Sequence, residues 1–249
     1  MGDKKLPVFM QDEAVGKIFR EAIECTPKKA KIYLVGGAAR NSVYYRYFGK
    51  ILSPRDYDLY FVGNPKKFIS NLRKVGFIYG NMKRKDEITV KKKKFIGAKN
   101  IGDFVVFDIH FSRENIVENL NKKANFTING FALPLDKVIS PNWYKSIISV
   151  KNAERDLRNK QIRVNSYDHP AQLYACIRFI HKGFRKPDEK EIEGLLFLLG
   201  KLPKYKFKRN LKKVFGGAGG EKNARRIAKD MGIKEDIFSF KTIKKIRDK

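Results

Sequence analysis

Lys31–Val62 reads KIYLVGGAARNSVYYRYFGKILSPRDYDLYFV. An apolar run ends in Gly36-Gly37, Arg40 follows, and Asp56-Tyr57-Asp58 opens a second apolar run. Lys31–Val35 has the length and apolarity of a short buried strand, and Ala38–Phe48 those of a helix after the glycine turn. Ser53-Pro54 marks a turn, and Asp56–Val62 reads as a second strand. Side chains alternate along a strand, so Asp56 and Asp58 share a face and Tyr57 takes the other. Carboxylates that close repel unless a cation lies between them. Oxygen-only ligands suit Mg²⁺, which binds one or two carboxylates together with substrate phosphates. Glycine lets the backbone approach an anion, and a helix start offers free N–H groups. Arg40, about one turn on, is placed to reach a phosphate. The pattern is neither GxGxxG nor a Walker loop, so those folds gain no support.

A third acid lies downstream. Phe104–Phe111 is FVVFDIHF, a strand pattern broken by Asp108. A carboxylate among Val and Phe is costly unless it is paired or coordinating. Asp56, Asp58 and Asp108 on neighbouring strands would complete a two-metal site. Around these lie further elements. Residues 14–24, Pro65–Val75 and Asn115–Asn121 have helical patterns, and Phe126–Leu133 looks helical as well. Glu87–Ile96 is another strand, with Gly97 and Gly102 in the turn before Phe104. Later segments, Asp168–Lys182, Glu189–Leu199 and Glu221–Met231, are helical. Gly216–Gly220 reads as a link or tight loop, and the tail SFKTIKKIRDK as a basic, frayed end. The expected class is α+β, a mixed head over residues 1–135, a connecting segment and neck over 136–190, and a short basic helical region over 191–249.

The chain has 249 residues, 42% of them hydrophobic, enough for a sizeable core. It carries 55 Lys+Arg against 26 Asp+Glu, a net charge of +29. That excess, clustered at Lys83–Lys85, Lys91–Lys94 and Lys201–Lys213, favours a polyanionic partner, nucleic acid first. Tyr205 and Phe207 interleave with lysines and are candidates either for base stacking or for a helix core. Cys25 and Cys176 stand far apart, outside any CxxC pattern, which excludes a disulfide framework and argues against a zinc site. No apolar run is long enough to span a bilayer, and the N-terminus lacks the pattern of a signal peptide. The expected setting is cytoplasmic, with no membrane partner.

Taken in order, the motifs resemble one family. LVGGAAR followed by RDYDLYF is similar to the LVGGxVRD and DxD elements of class II tRNA nucleotidyltransferases (CCA-adding enzymes) and bacterial-type poly(A) polymerases. FDIHFSRE resembles the strand that carries the family's third acid, NLNKKANFTINGFAL its DLxRRDFTINAxA, VISPNWYKSIISVKNAERDLRNKQIRV its iDPyxGxxDLxxRxIR, and DHPAQLYACIRFIHKGF its neck helix. The resemblance covers about residues 30–190. It implies a polymerase-beta-like nucleotidyltransferase head followed by a helical neck. The implied reaction is attack of an RNA 3′-hydroxyl on the α-phosphate of ATP or CTP, with two Mg²⁺ ions. By position, Asp56, Asp58 and Asp108 would be catalytic metal ligands. Gly36, Gly37, Arg40, Arg113, Lys123, Asn129 and Arg178 would meet the nucleotide.

Departures cluster where the family reads base and sugar. Asn41 replaces the aspartate after Arg40, Asn125 another aspartate, and Lys122-Lys123 the paired arginines. Lysine lacks arginine's planar fork. Along the neck helix, Asp168-His169, Gln172 and Ala175 stand where the family has Glu-Asp and two arginines, and Arg178 persists. The acids survive while the base-reading groups do not, which favours a nucleotidyltransferase of altered nucleotide choice, with AMP addition ahead of ordered CCA addition. The alternatives are a basic RNA-binding protein that keeps the fold without the chemistry, and an enzyme modifying a different acceptor.

Overall fold

The computed structural model describes residues 6–52, 54, 56–84, 86–96 and 99–247. They fall into two compact units. The first joins Met1–Asn121 to Asn129–Lys151, and the second joins Lys122–Ile128 to Asn152–Lys249.

The first unit is built on a mixed sheet. Its strands are β1 (Lys31–Val35), β2 (Tyr57–Val62), β3 (Ile78–Arg84), β4 (Glu87–Ile96), β5 (Lys99–Ser112), β6 (Phe131–Pro134) and β7 (Ile148–Ser149), in the order β3-β4-β5-β2-β1-β6-β7. β2 and β5 run parallel, whereas β1–β2, β1–β6, β3–β4, β4–β5 and β6–β7 are antiparallel. Helix α1 (Glu13–Glu24) precedes β1, and α2 (Gly36–Phe48), α3 (Pro65–Lys74) and α4 (Ile116–Lys123) lie between strands in sequence.

Alternation divides the sheet. Tyr57, Leu59 and Phe61 on β2 and Phe107 and Ile109 on β5 are buried. Helix α1 sets Phe19 edge-on to Tyr57 and Phe107, with centroids 4.9 and 5.0 Å apart, and α3 stacks Phe68 on Phe61 at 4.9 Å. Each such ring pair contributes about 0.5–1.5 kcal/mol beyond area burial. Helix α1 starts where the Asp12 carboxylate accepts the Val15 N–H at 3.1 Å, and α3 starts with Pro65 in its first turn behind Asn64. The opposite face carries Asp58 and Asp108.

Several expectations are corrected. Phe126–Leu133 is not a helix: a single 3₁₀ turn at Thr127–Asn129 leads into β6, which Gly130 separates from it. Phe131, Ala132 and Leu133 are fully buried beside β1, and cross-strand pairing overrides their helical spacing. Ile78–Arg84 forms β3, which its polar sequence conceals. Gly102 lies inside β5 rather than in a turn, because Ile96 already pairs with Lys99. Gly97, and the side chains of the Lys83–Lys85 tract, lie outside the described residues.

The second unit is helical: α5 (Ala153–Arg158), α6 (Gln172–His181), α7 (Glu189–Gly200), α8 (Lys204–Gly217), α9 (Glu221–Asp230) and α10 (Phe240–Arg247). The glycine tract is not a free link at its start, since Gly216 and Gly217 end α8. Nor is the tail frayed up to Arg247. Ile243 is fully buried, and Phe240 meets Phe207 with centroids 5.4 Å apart. Phe207 is therefore a core residue, whereas Tyr205 is 80% exposed. Helix α7 begins with a capping box between Asp188 and Glu191, and Glu191 also accepts the Val164 N–H at 2.7 Å. Burial pushes the Glu191 carboxyl above its usual range, against the hydrogen bonds that lower it.

Asp156 ties this unit together. Its buried carboxylate accepts the Thr127 hydroxyl at 2.8 Å and the Arg163 Nε–H at 3.2 Å. Asp156→Ala leaves the buried Thr127 hydroxyl without that acceptor, an expected loss of about 2 kcal/mol. Thermal or urea unfolding measures it, and a loss below about 0.5 kcal/mol would contradict this account.

Candidate active site

The acid pair is set by strand register. Asp58 on β2 stands directly opposite Asp108 on β5, so both side chains emerge on the same face of adjacent parallel strands. On its other side Asp58 pairs with Val35, the last residue of β1. The chain then turns at Gly36, whose φ is +64°, into α2. A Cβ at Gly36 would stand 2.5 Å from Asp58 Oδ2, so the carboxylate occupies space that only glycine leaves open. Gly37 lies more openly, and Arg40 Nη2 is the nearest heavy atom to a Cβ built there, at 3.7 Å.

Asp108 is 8% exposed and central in the sheet, not at a strand edge. Thr89, opposite it on β4, donates its hydroxyl to Asp108 Oδ1 at 2.5 Å. That bond offsets part of the cost of burying a carboxylate. Asp56 is exposed, in the bend just before β2. Among the described residues no group of three or more His, Cys, Asp or Glu side chains stands at metal-holding separation. The carboxylates of Asp58 and Asp108, on neighbouring strands and one face, nevertheless suit the hard-ligand chemistry of Mg²⁺, which takes its remaining ligands from phosphate and water. Asp58 in its glycine-walled niche is the observation that supports this fit.

A second cluster centres on Arg40. Its Nη1 donates to Asn129 Oδ1 at 2.7 Å, while Nε and Nη2 donate to Asn41 Oδ1 at 3.2 and 2.9 Å. Asn41 is itself anchored through its Nδ2–H to the Leu52 carbonyl at 2.8 Å. Asn41 thus braces the guanidinium, with an amide oxygen where the family motif has a carboxylate. Two of the sequence-named nucleotide residues, Arg40 and Asn129, are therefore in contact. The sequence reading missed Asn41 as a positioning group, although its place directly after Arg40 was the available signal. It also missed Thr89, which only the strand register reveals.

Arg113 is exposed in the turn that follows β5. Lys123 and Arg178 belong to the second unit. Lys123 Nζ is 3.3 Å from Asp168 Oδ2. Arg178 lies against the end of α8, where a Cβ on Gly217 would clash with its Cδ, so Gly217 makes room for the arginine stem. Gln172 is fully buried, and its Nε2 donates to the Asn125 and Ser166 carbonyls, each at 2.8 Å. It acts as a structural clamp rather than an exposed base-reading group. Cys25 and Cys176 are both buried and unbonded to each other, and burial pushes their thiols up, which argues against thiolate chemistry.

No protein-family model and no curated protein matches the chain. Solved structures do. A Thermotoga maritima CCA-adding enzyme complexed with tRNA superposes with a TM-score of 0.64 at 19% identity, covering 89% of this chain and 52% of that one. A CCA-adding enzyme in complex with ATP gives 0.66 at 20% identity, covering 94% and 56%. The Bacillus stearothermophilus CCA-adding enzyme in complex with CTP gives 0.58 at 16% identity, covering 96% and 57%. The chain spans little more than half the length of these structures. Among the described residues no helix is long and apolar enough to cross a membrane. The chain has the α+β fold of the CCA-adding enzymes, the fold that its ordered motifs imply.

Proposed function

We propose that the protein is a template-independent nucleotidyltransferase that adds AMP, CMP or both to an RNA 3′ end. The observation that carries this reading is the in-register pair Asp58–Asp108, with Gly36 giving Asp58 its space. Arg40, braced by Asn41 and Asn129, supplies fixed positive charge and N–H donors for the triphosphate. The N-terminal end of α2 adds backbone N–H groups at the same turn. Asp58 and Asp108, with Asp56 just outside the strand, are the residues that would hold Mg²⁺. When bound, the ions would activate the attacking hydroxyl and neutralise the leaving pyrophosphate. Lys123, Arg178 and Arg113 are further nucleotide contacts in this reading. The net charge of +29 suits an RNA acceptor.

The test is incubation with Mg²⁺, short RNAs or tRNA, and each labelled triphosphate in turn. Incorporation of at least one nucleotide is expected, and none, beside an active control enzyme, would sink the proposal. No incorporation by the unaltered protein, with salt-sensitive RNA binding that Asp56→Ala and Asp58→Ala leave unharmed or improve, is the result expected of a scaffold that kept only the fold. Arg40→Ala should raise the apparent KM for the triphosphate by about tenfold or more, the loss of one or two charge-assisted hydrogen bonds. An unchanged KM would remove Arg40 from the triphosphate site.

A further inference from the structure

The four consecutive lysines of β4 divide between the two faces of the sheet. Lys92 pairs with Glu21 of α1 at 2.5 Å and donates to the Val75 carbonyl, and Lys94 pairs with Asp12, the α1 cap, at 3.2 Å. Both are held on the helix-covered face. Lys91 and Lys93 fall on the other face, the one that carries the acids. Their ammonium groups lie over the Phe104 ring of β5, 4.8 and 5.9 Å from its centroid. Among the described residues neither has a carboxylate partner, and Phe104 is part-exposed.

Register places this cluster relative to the acid pair. Thr89 stands opposite Asp108, Lys91 opposite Val106, and Lys93 opposite Phe104. At roughly 3.3 Å per residue the two lysines sit about 7 and 13 Å along the strand from Thr89. Glu87 lies on the same face, but on the far side of Thr89, opposite His110. The acid face therefore continues, in one direction, into a strip of two cations and one accessible ring. Cations that track phosphates beside an aromatic that stacks a base are what a single-stranded nucleic acid needs.

We infer that Lys91, Lys93 and Phe104 form a docking strip for the single-stranded RNA segment just upstream of the reacting 3′ end. The choice of RNA as the polyanion rests on the nucleotidyl-transfer reading. The strip itself rests on the charge division of β4. Lys92 and Lys94, though neighbours in sequence, have no part in it.

The experiment titrates the full chain with a labelled ten-nucleotide single-stranded RNA at several salt concentrations. Lys91→Gln/Lys93→Gln should lower the slope of log K against log salt by about 1.4, or about 0.7 per lysine in the single variants. Lys92→Gln/Lys94→Gln should leave the slope unchanged. Phe104→Leu should weaken binding by about tenfold without altering the slope. Thermal melts establish that each variant is folded, and the single variants stand in if the double one is not. An unchanged slope in folded Lys91→Gln and Lys93→Gln, or an equal fall in Lys92→Gln/Lys94→Gln, overturns the strip. A raised KM for ATP with an unchanged RNA slope also overturns it, as the mark of a triphosphate site. Nucleotide incorporation measured alongside separates the two claims. Incorporation with an unchanged slope removes the strip alone, whereas a lowered slope without incorporation keeps the strip and removes the transferase reading.

Discussion

Asp58→Ala is expected to lower nucleotide incorporation by about 10³-fold or more while the protein stays folded. Loss of a carboxylate that holds a cation against the reacting phosphate removes several kcal/mol of transition-state stabilisation, and each 1.36 kcal/mol is tenfold in rate. The fold should tolerate the change. Asp58 is part-exposed, its side chain stands on the face away from α1 and α3, and strand preference spans only about 1 kcal/mol. Asp108→Ala is a less clean test, because its carboxylate is buried and accepts the Thr89 hydroxyl. Single-turnover incorporation of labelled ATP into a short RNA, with a melting curve beside it, measures both quantities. A rate within about tenfold of the unaltered protein would take Asp58 out of the chemistry.

Gly36→Ala carries the second large effect, and its cause is separable. An alanine at φ +64° costs roughly 1–2 kcal/mol of backbone strain. Its methyl group would also stand 2.5 Å from Asp58 Oδ2, so the carboxylate must move. A misplacement of about 1 Å at a reacting centre costs on the order of 10²-fold in rate. The two parts come apart in a double-mutant cycle. With Asp58 already changed to alanine, Gly36→Ala should retain only the strain cost in stability and add no further loss of rate. An equal loss of stability and rate in both backgrounds would mean that Gly36 does not act through Asp58.

Much of the first unit was legible from sequence because its signals are local. The apolar run at Lys31–Val35 and the β-branched start of Glu87–Ile96 became strands within those limits, and α1 and α3 formed over apolar faces with Asp12, Asn64 and Pro65 marking their starts. The motif order pointed to the fold found in the solved structures. What escaped depends on partners distant in sequence. β6 has a helical spacing that pairing with β1 overrides. β3 presents Gly80 and Asn81 to a pattern search and owes its form to β4. The role of Gln172 as a clamp follows from the Asn125 and Ser166 carbonyls, neither adjacent to it in sequence. At the site, the identities of Asp58, Asp108 and Arg40 could be read, but the facing of Asp58 and Asp108 is a matter of register, and Thr89 and Asn41 acquire their roles only from it and from side-chain geometry.

Among the described residues β2–β5 is the one parallel pairing between named strands, and it bears on how the molecule comes to exist as well as on how it stands. Antiparallel neighbours such as β3–β4 and β4–β5 close over short turns, whereas a parallel partner must be reached by a crossover. Asp58 and Asp108 are separated by about fifty residues, so their meeting carries a larger loop-closure entropy than either hairpin. The pairing that brings the two acids together is thus among the less local ones in its unit, of the kind that slows folding. A chain emerging from the ribosome holds Asp58 without its partner until β5 has been synthesised through Asp108. The acid face of the sheet is then complete only when its central parallel joint closes, not with the first helices and hairpins.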